Sequence, residues 1–267
     1  DDSGWASYNP STIRQFFGKW GFIDEVRDIQ LSLAYTDNSL WGNQSVPGSM
    51  FATGVKNYTH SDYTNTQNLT LNLKGEWDLG DDKTVAGNVY YRWVNRDVLN
   101  SNLNEATTAG APPCTDFSDC PAANLLANYT QNIIGANGQW TSSGKLNEKP
   151  NLLTLGVNVE YGRTTFTNKG QNAYIDSSQG LVAVDSYQDQ ANISSTNGRY
   201  GLFATDTFDV SNKLALTASA RLDVASIQLN GTTCTESTSG GAATPNQLCG
   251  FGGTDTWTAV EGSHTYT

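Results

Sequence analysis

The chain is poor in the residues that enzyme chemistry uses most. Of its 267 residues, two are histidines, His60 and His264, which leaves little general-base capacity near neutral pH. G-x-S-x-G, H-E-x-x-H and phosphate-binding glycine motifs are absent, and no catalytic role is expected. No run of ~18 apolar residues could cross a bilayer as a helix. Cationic residues are scarce: 15 Lys and Arg stand against 26 Asp and Glu, for a net charge of −11, the wrong sign for a nucleic-acid partner. The four cysteines form two local pairs, Cys114 with Cys120 and Cys234 with Cys249, each in a Pro-, Gly-, Ser- or Thr-rich stretch. Intraloop disulfides of an oxidising compartment are expected from them. Their spacing lacks a C-x-x-C, so neither a metal nor a cofactor is expected. Asp24/Glu25 and Asp81/Asp82 read as solvated turn residues rather than acid–base pairs. Asp185 and Asp189 lack the acidic ladder of a calcium loop.

What the chain does have is alternation. From Lys83 to Asp97, Val85, Gly87, Val89, Tyr91 and Trp93 alternate with Thr84, Ala86, Asn88, Tyr90 and Arg92. From Lys213 to Ala225, Leu214, Leu216, Ala218, Ala220, Leu222 and Val224 alternate with Ala215, Thr217, Ser219, Arg221 and Asp223. Successive strand side chains point to opposite faces, so each strand is apolar on one side and polar on the other. A soluble sandwich buries the apolar side. A transmembrane barrel turns it to lipid and lines a wet lumen with the other. A barrel needs only every second residue apolar, so 37% hydrophobic residues do not exclude one.

The spacing predicts about nine strands of ~10–15 residues. They cover Thr12–Phe22, Asp28–Thr36, Gln67–Leu79, the Lys83 strand, a weak Thr130–Thr141, Leu152–Phe166, Arg199–Val210, the Lys213 strand and a last one opening at Glu261. Short turns at Ile23–Val26, Gly80–Asp82, Ser142–Pro150 and Ser211–Asn212 alternate with long polar segments. These are Asp37–Asn65, Leu99–Tyr129, Thr167–Asn197 and the stretch after Leu229, with a short edge strand at Leu181–Val184. Strict alternation of short and long connections is the layout of outer-membrane barrels, whose long loops face outward. Both cysteine pairs fall on the long-loop side. The fold class expected is an all-β, antiparallel transmembrane barrel segment filling residues 1–267.

The hairpin Arg199-Tyr200-Gly201-Leu202-Phe203-Ala204-Thr205-Asp206-Thr207-Phe208, then Asn212-Lys213-Leu214 through Arg221-Leu222-Asp223, resembles the barrel of TonB-dependent outer-membrane receptors. Asp37–Pro47 and Leu79–Arg92 look like the same family. The resemblance implies a 22-stranded barrel holding an N-terminal plug. It also implies capture of a scarce nutrient (a ferric siderophore, cobalamin or a glycan) and import driven through TonB and its inner-membrane complex. The location implied is the outer membrane of a Gram-negative bacterium, with lipid and a small nutrient ligand as partners. No plug, TonB-binding segment or terminal aromatic residue is recognisable, and the opening Asp1-Asp2-Ser3-Gly4-Trp5 is no leader. The chain is therefore expected to be processed, or an interior piece of a barrel. A passive porin-like channel and a secreted β-sandwich or adhesin are the alternatives.

Two residue sets follow. Trp41, Tyr58, Tyr63, Phe117, Phe251 and Trp257 lie in or beside long loops, where a ligand would approach; loop packing is their other role. Lys74, Glu76, Arg92, Arg96, Glu160, Arg221 and Asp223 fall on the polar strand face. Arg92, Arg221 and Asp223 are the candidates for contact with a plug, the alternative being an ordinary wet lumen face.

Overall fold

The computed structural model describes residues 8–42, 59–103, 120–237, 248–249 and 254–266. Among them are eleven strands and no helix. They are β1 (Ser11–Ile23), β2 (Arg27–Trp41), β3 (Tyr63–Gly80), β4 (Lys83–Leu103), β5 (Cys120–Ser142), β6 (Lys145–Leu146), β7 (Lys149–Ile175), β8 (Leu181–Ala183), β9 (Gln188–Ser211), β10 (Leu214–Ser237) and β11 (Thr254–Tyr266). The long strands pair in the order β1-β2-β3-β4-β5-β7-β9-β10-β11, all antiparallel, while the short β6 and β8 both pair with β7. The nine strands read from alternation are all present, in sequence order.

The tight turns follow from residues that tolerate φ > 0. Asp81 and Asp82 sit at φ 52° and 58°, and Asn147 and Glu148 at 53° and 65°. Left-handed pairs match the twist of the strands they join. The second pair closes the small hairpin of β6 with Lys149–Pro150, inside a stretch expected to be a simple turn. The β1–β2 turn is held by Asp24, whose carboxylate accepts from the Val26 and Arg27 amides at 2.9 and 2.6 Å and from the Arg27 guanidinium. The Arg27 side-chain bonds first, then the Val26 amide, hold the Asp24 pKa below the usual carboxylate range. A depressed folded pKa gives stability that is present above the unfolded value and lost as pH falls through the folded one. Asp24→Asn is therefore expected to lower stability at neutral pH and to lose its effect in strong acid. Unfolding of both proteins across pH 2–7 checks this.

The strands run further than alternation foretold, and their outer ends are corrections. β2 reaches Trp41, β4 reaches Leu103, β5 begins at Cys120, and β7 continues to Ile175. β9 begins at Gln188, β10 runs to Ser237 and β11 opens at Thr254. These ends were expected as loop because the period-two signal vanishes there: polar residues fall on both faces of 167–172, and apolar ones on both faces of 122–127. The backbone ladder continues regardless, because inter-strand hydrogen bonds do not depend on which side chains are apolar.

The cross-strand register builds one apolar face. One row runs Trp20, Leu31, Leu73, Val89, Ala136, Val159, Tyr200 and Val224, from β1 to β10. Among the described residues nothing covers it: Trp20 is 61% exposed, Leu202 57% and Leu222 58%. Among the described residues no second sheet packs on this face, as a soluble sandwich would require. Buried apolar residues gather elsewhere, at the long-loop end: Ala122, Ala123, Ala173, Ile175, Leu248 and Cys249.

Candidate functional site

Two faces and one mouth carry the functional features. On the apolar face, β4 presents Val85 to Trp93, nine residues, the length at which a tilted strand crosses a hydrocarbon core. Aromatic side chains bound this belt. Tyr35, Trp93, Tyr161 and Tyr200 stand at its upper edge, and Trp77, Trp140 and Phe208 at its lower edge. The upper edge is level from β1 to β4 and then descends. The row of Trp93 passes Asn132, Arg163 and Thr196 to Gln228, four residues above the last apolar side chain of β10, Val224. The lower edge descends equally: the row of Trp140 meets β9 at Ala204, four residues from Phe208. A drop of about one residue per strand is ~3.3 Å along against ~4.8 Å across, a tilt of ~35°. Barrel strands tilt by about this much from the barrel axis, and so from the membrane normal.

The other face is polar and gathers Lys74, Glu76, Arg92, Arg96, Glu160, Arg221 and Asp223 together, as the alternation implied. It is the concave side, since side chains from strands two apart meet on it. Tyr90 on β4 donates to Glu160 Oε2 on β7 at 2.5 Å, across β5. Arg221 on β10 donates to Asn158 Oδ1 on β7 at 3.0 Å, across β9. Glycines make both crossings possible. A Cβ on Gly135 would strike the Tyr90 ring, one on Gly156 the Phe203 ring, and one on Gly201 the Asn158 amide and the Asp223 carboxylate. Large side chains thus lie flat along the wall. Gly135→Ala is expected to lift Tyr90 off Glu160 and to cost ~1 kcal/mol, about the worth of one hydrogen bond. Tyr90→Phe should cost the same and the double variant no more, since both remove one interaction; equilibrium unfolding of the three variants checks it.

An amide ladder extends the network. Asn88 Nδ2 donates to Asn72 Oδ1 at 2.8 Å, and Asn137 Nδ2 to Asn88 Oδ1 at 3.0 Å. These groups, with Glu160, Arg199 and Arg221, line a concavity of about 460 Å³. Arg221 is clasped by Asp223 at 2.5 and 2.7 Å. Among the described residues, no carboxylate lies within ion-pair distance of Lys74, Arg92 or Arg199. The sequence had not singled out Tyr90, Arg199 or Phe203. Arg199 stood at an expected strand boundary, and the pairing that brings Tyr90 to Glu160 joins positions 70 residues apart.

At the long-loop end a polar chain ties segments together. Asp62 accepts from Thr59 Oγ1 at 2.5 Å and from the Ser101 amide at 2.7 Å. Ser101 Oγ donates to Asn124, and Asn124 Nδ2 to Gln171, at 3.1 and 2.9 Å. Asp185 takes the Asn172 amide and side chain, and Asp189 pairs with Lys169 at 3.7 Å. Cys234 and Cys249 form a disulfide. Gln190 grips the Cys249 backbone from both sides, accepting from its amide at 2.9 Å and donating to its carbonyl at 3.2 Å. Leu248 settles over Gly170, where a Cβ would crowd it.

Trp41 and Tyr63 sit at facing strand ends, ring centroids 5.8 Å apart, and Trp257 stands on β11 opposite Cys234. All three are therefore strand residues. Tyr58, Phe117, Phe251 and Cys114 lie outside the described residues, and so does the pairing expected between Cys114 and Cys120; the Cys120 backbone opens β5.

The model of the family described as TonB dependent receptor-like, beta-barrel matches residues 2–248. The chain belongs to that family. Solved structures agree in fold. The ferric-catecholate import receptor Fiu from E. coli K12, in its open form, superposes with a TM-score of 0.65 at 16% identity, over 98% of this chain and 44% of that one. The ferric citrate transporter FecA gives 0.63 at 13% identity, over 97% and 33%. The siderophore receptor PiuA from Acinetobacter baumannii gives 0.56 at 12%, over 96% and 39%. The chain thus spans less than half the length of each. No curated protein sequence matches it significantly.

Proposed function

We propose that this chain forms barrel wall of an outer-membrane receptor that captures a scarce nutrient outside a Gram-negative cell and imports it with TonB-derived energy. The observation that carries the reading is the oblique, aromatic-edged apolar belt, uncovered and as tall as a hydrocarbon core. It supports a lipid-facing wall with a polar lumen behind. The residues of that lumen fit an occupant. Among the described residues Lys74, Arg92 and Arg199 have no ion-pair partner, on a chain of net charge −11, and they would meet acidic groups of a plug. The long-loop end, tied by the Asp62–Ser101–Asn124–Gln171 chain and the Cys234–Cys249 disulfide, would frame the mouth for the ligand. Ferric siderophores are the ligand class favoured, because Fiu, FecA and PiuA are named for ferric-catecholate, ferric citrate and siderophore.

Uptake of radiolabelled ferric catecholate and ferric citrate by cells carrying the full-length protein tests this. The expected result is uptake that disappears when TonB is deleted. Uptake that persists without TonB would make the wall part of a passive channel.

A further inference from the structure

Two arginines of the concave wall are treated differently. Arg221 is neutralised on its own strand, where Asp223 clasps it at 2.5 and 2.7 Å. Arg199 also has an acid at hand, because Glu160 on β7 is its direct antiparallel partner. Residues opposed in this way on one face stand about 5 Å apart at Cβ, well within the reach of an arginine. A guanidinium so placed can take the carboxylate as a bidentate pair. No such pair forms between Arg199 and Glu160. Glu160 Oε2 instead accepts from Tyr90 at 2.5 Å, a phenol that reaches it from β4 across the whole width of β5. Gly135 lets it pass, since a Cβ there would lie 2.4 Å from the Tyr90 ring.

The result is a cation kept open. Arg199 and Lys74 both line the concavity of about 460 Å³, beside the amides of Asn88, Asn137 and Asn158, and neither has an ion-pair partner among the described residues. A Glu160 free to turn would neutralise Arg199 from within the wall. Such a competitor lowers the affinity for an outside anion by the fraction of time it occupies the cation. We propose that Tyr90 is a positioning residue: it holds Glu160 off Arg199, so that Arg199 binds a carboxylate of the segment that fills the lumen. The inference rests on the receptor reading, in which a plug occupies that lumen. It names the wall cation that the plug meets and the contact that keeps it available.

The test uses the full-length protein in planar bilayers, with urea added to loosen the plug while channel opening is recorded. Tyr90→Phe should raise the ratio of open to plugged channels at fixed urea on the order of tenfold, as expected for losing one charge-assisted hydrogen bond. Arg199→Gln should do the same, and so should Gly135→Ala, which keeps Tyr90 and Glu160 but blocks the crossing. Tyr90→Phe/Glu160→Gln should return to the parent's ratio, because the competitor for Arg199 is gone. A merely structural loss at Tyr90 would not be repaired by removing its partner as well. Parent-like opening in Tyr90→Phe or in Arg199→Gln would overturn the proposal, and so would a double variant as open as Tyr90→Phe. A parent protein that conducts freely without urea would instead overturn the plug reading, and the assignment of Tyr90 with it.

Discussion

Val157→Arg is expected to destabilise the protein by about 2–4 kcal/mol in a bilayer, the largest effect of any single surface change on this molecule. Val157 lies mid-belt, between Leu153 and Tyr161 on β7 and in the row of Gly87 and Leu202, and is 49% exposed. In a water-soluble sheet an arginine at so exposed a site changes stability little. In hydrocarbon its charge must snorkel or thin the bilayer. The contrast is Asn137→Lys, on the neighbouring strand β5 and on the concave face, where a charge meets water and amides; less than ~1 kcal/mol is expected there. Urea-induced unfolding of both variants in lipid vesicles separates the cases. Equal, small effects would mean that the apolar stripe does not face lipid.

The second large effect concerns the disulfide. Cys234 and Cys249 are 15 residues apart, and closing a loop of that length is worth about 3 kcal/mol in the chain-entropy model. Their β10–β11 hairpin is paired over thirteen positions, so the sheet itself should survive reduction. The loss should concentrate where the loop is gripped, at Gln190 and Gly170. Cys234→Ser/Cys249→Ser is expected to speed amide exchange at Cys249 and Gln190 by up to about two orders of magnitude, leaving Leu202 and Leu222 unchanged. Unaltered exchange at Cys249 would show that the Gln190 hydrogen bonds and Leu248 packing hold the loop unaided.

The part of the fold legible in the sequence is the uncovered apolar face. Leu69, Leu71 and Leu73, or Val85 to Trp93, alternate because one face must be apolar, and nine strands could be read from that demand alone. β5 was faint because its outward face carries the small Ala136 and Gly138 while Ile133 stands on the concave face opposite Arg92; its Gly135 and Asn137 take in the Tyr90 ring and the ladder from Asn88. Strand ends such as Leu99–Leu103 were illegible for another reason: apolar and polar residues no longer alternate over a long enough run to mark a strand, although the backbone pairing is complete. The charges Lys74, Glu160, Arg221 and Asp223 were placed on one face correctly by parity. Which of them touch was not readable, because Tyr90–Glu160 and Arg221–Asn158 depend on strands separated by 60 residues or more of chain. The grip of Gln190 on Cys249 was hidden likewise, a side chain closing on a backbone 59 positions away.

The most direct test of a lipid-facing wall is accessibility along β4. Single cysteines at positions 87 to 92 of the full-length protein in vesicles would carry a spin label, probed with oxygen, which partitions into lipid, and with a water-soluble nickel chelate. A lipid-facing wall predicts a period of two: positions 87, 89 and 91 reached by oxygen and shielded from nickel, and 88, 90 and 92 the reverse. Nickel access at every position, without alternation, would contradict it.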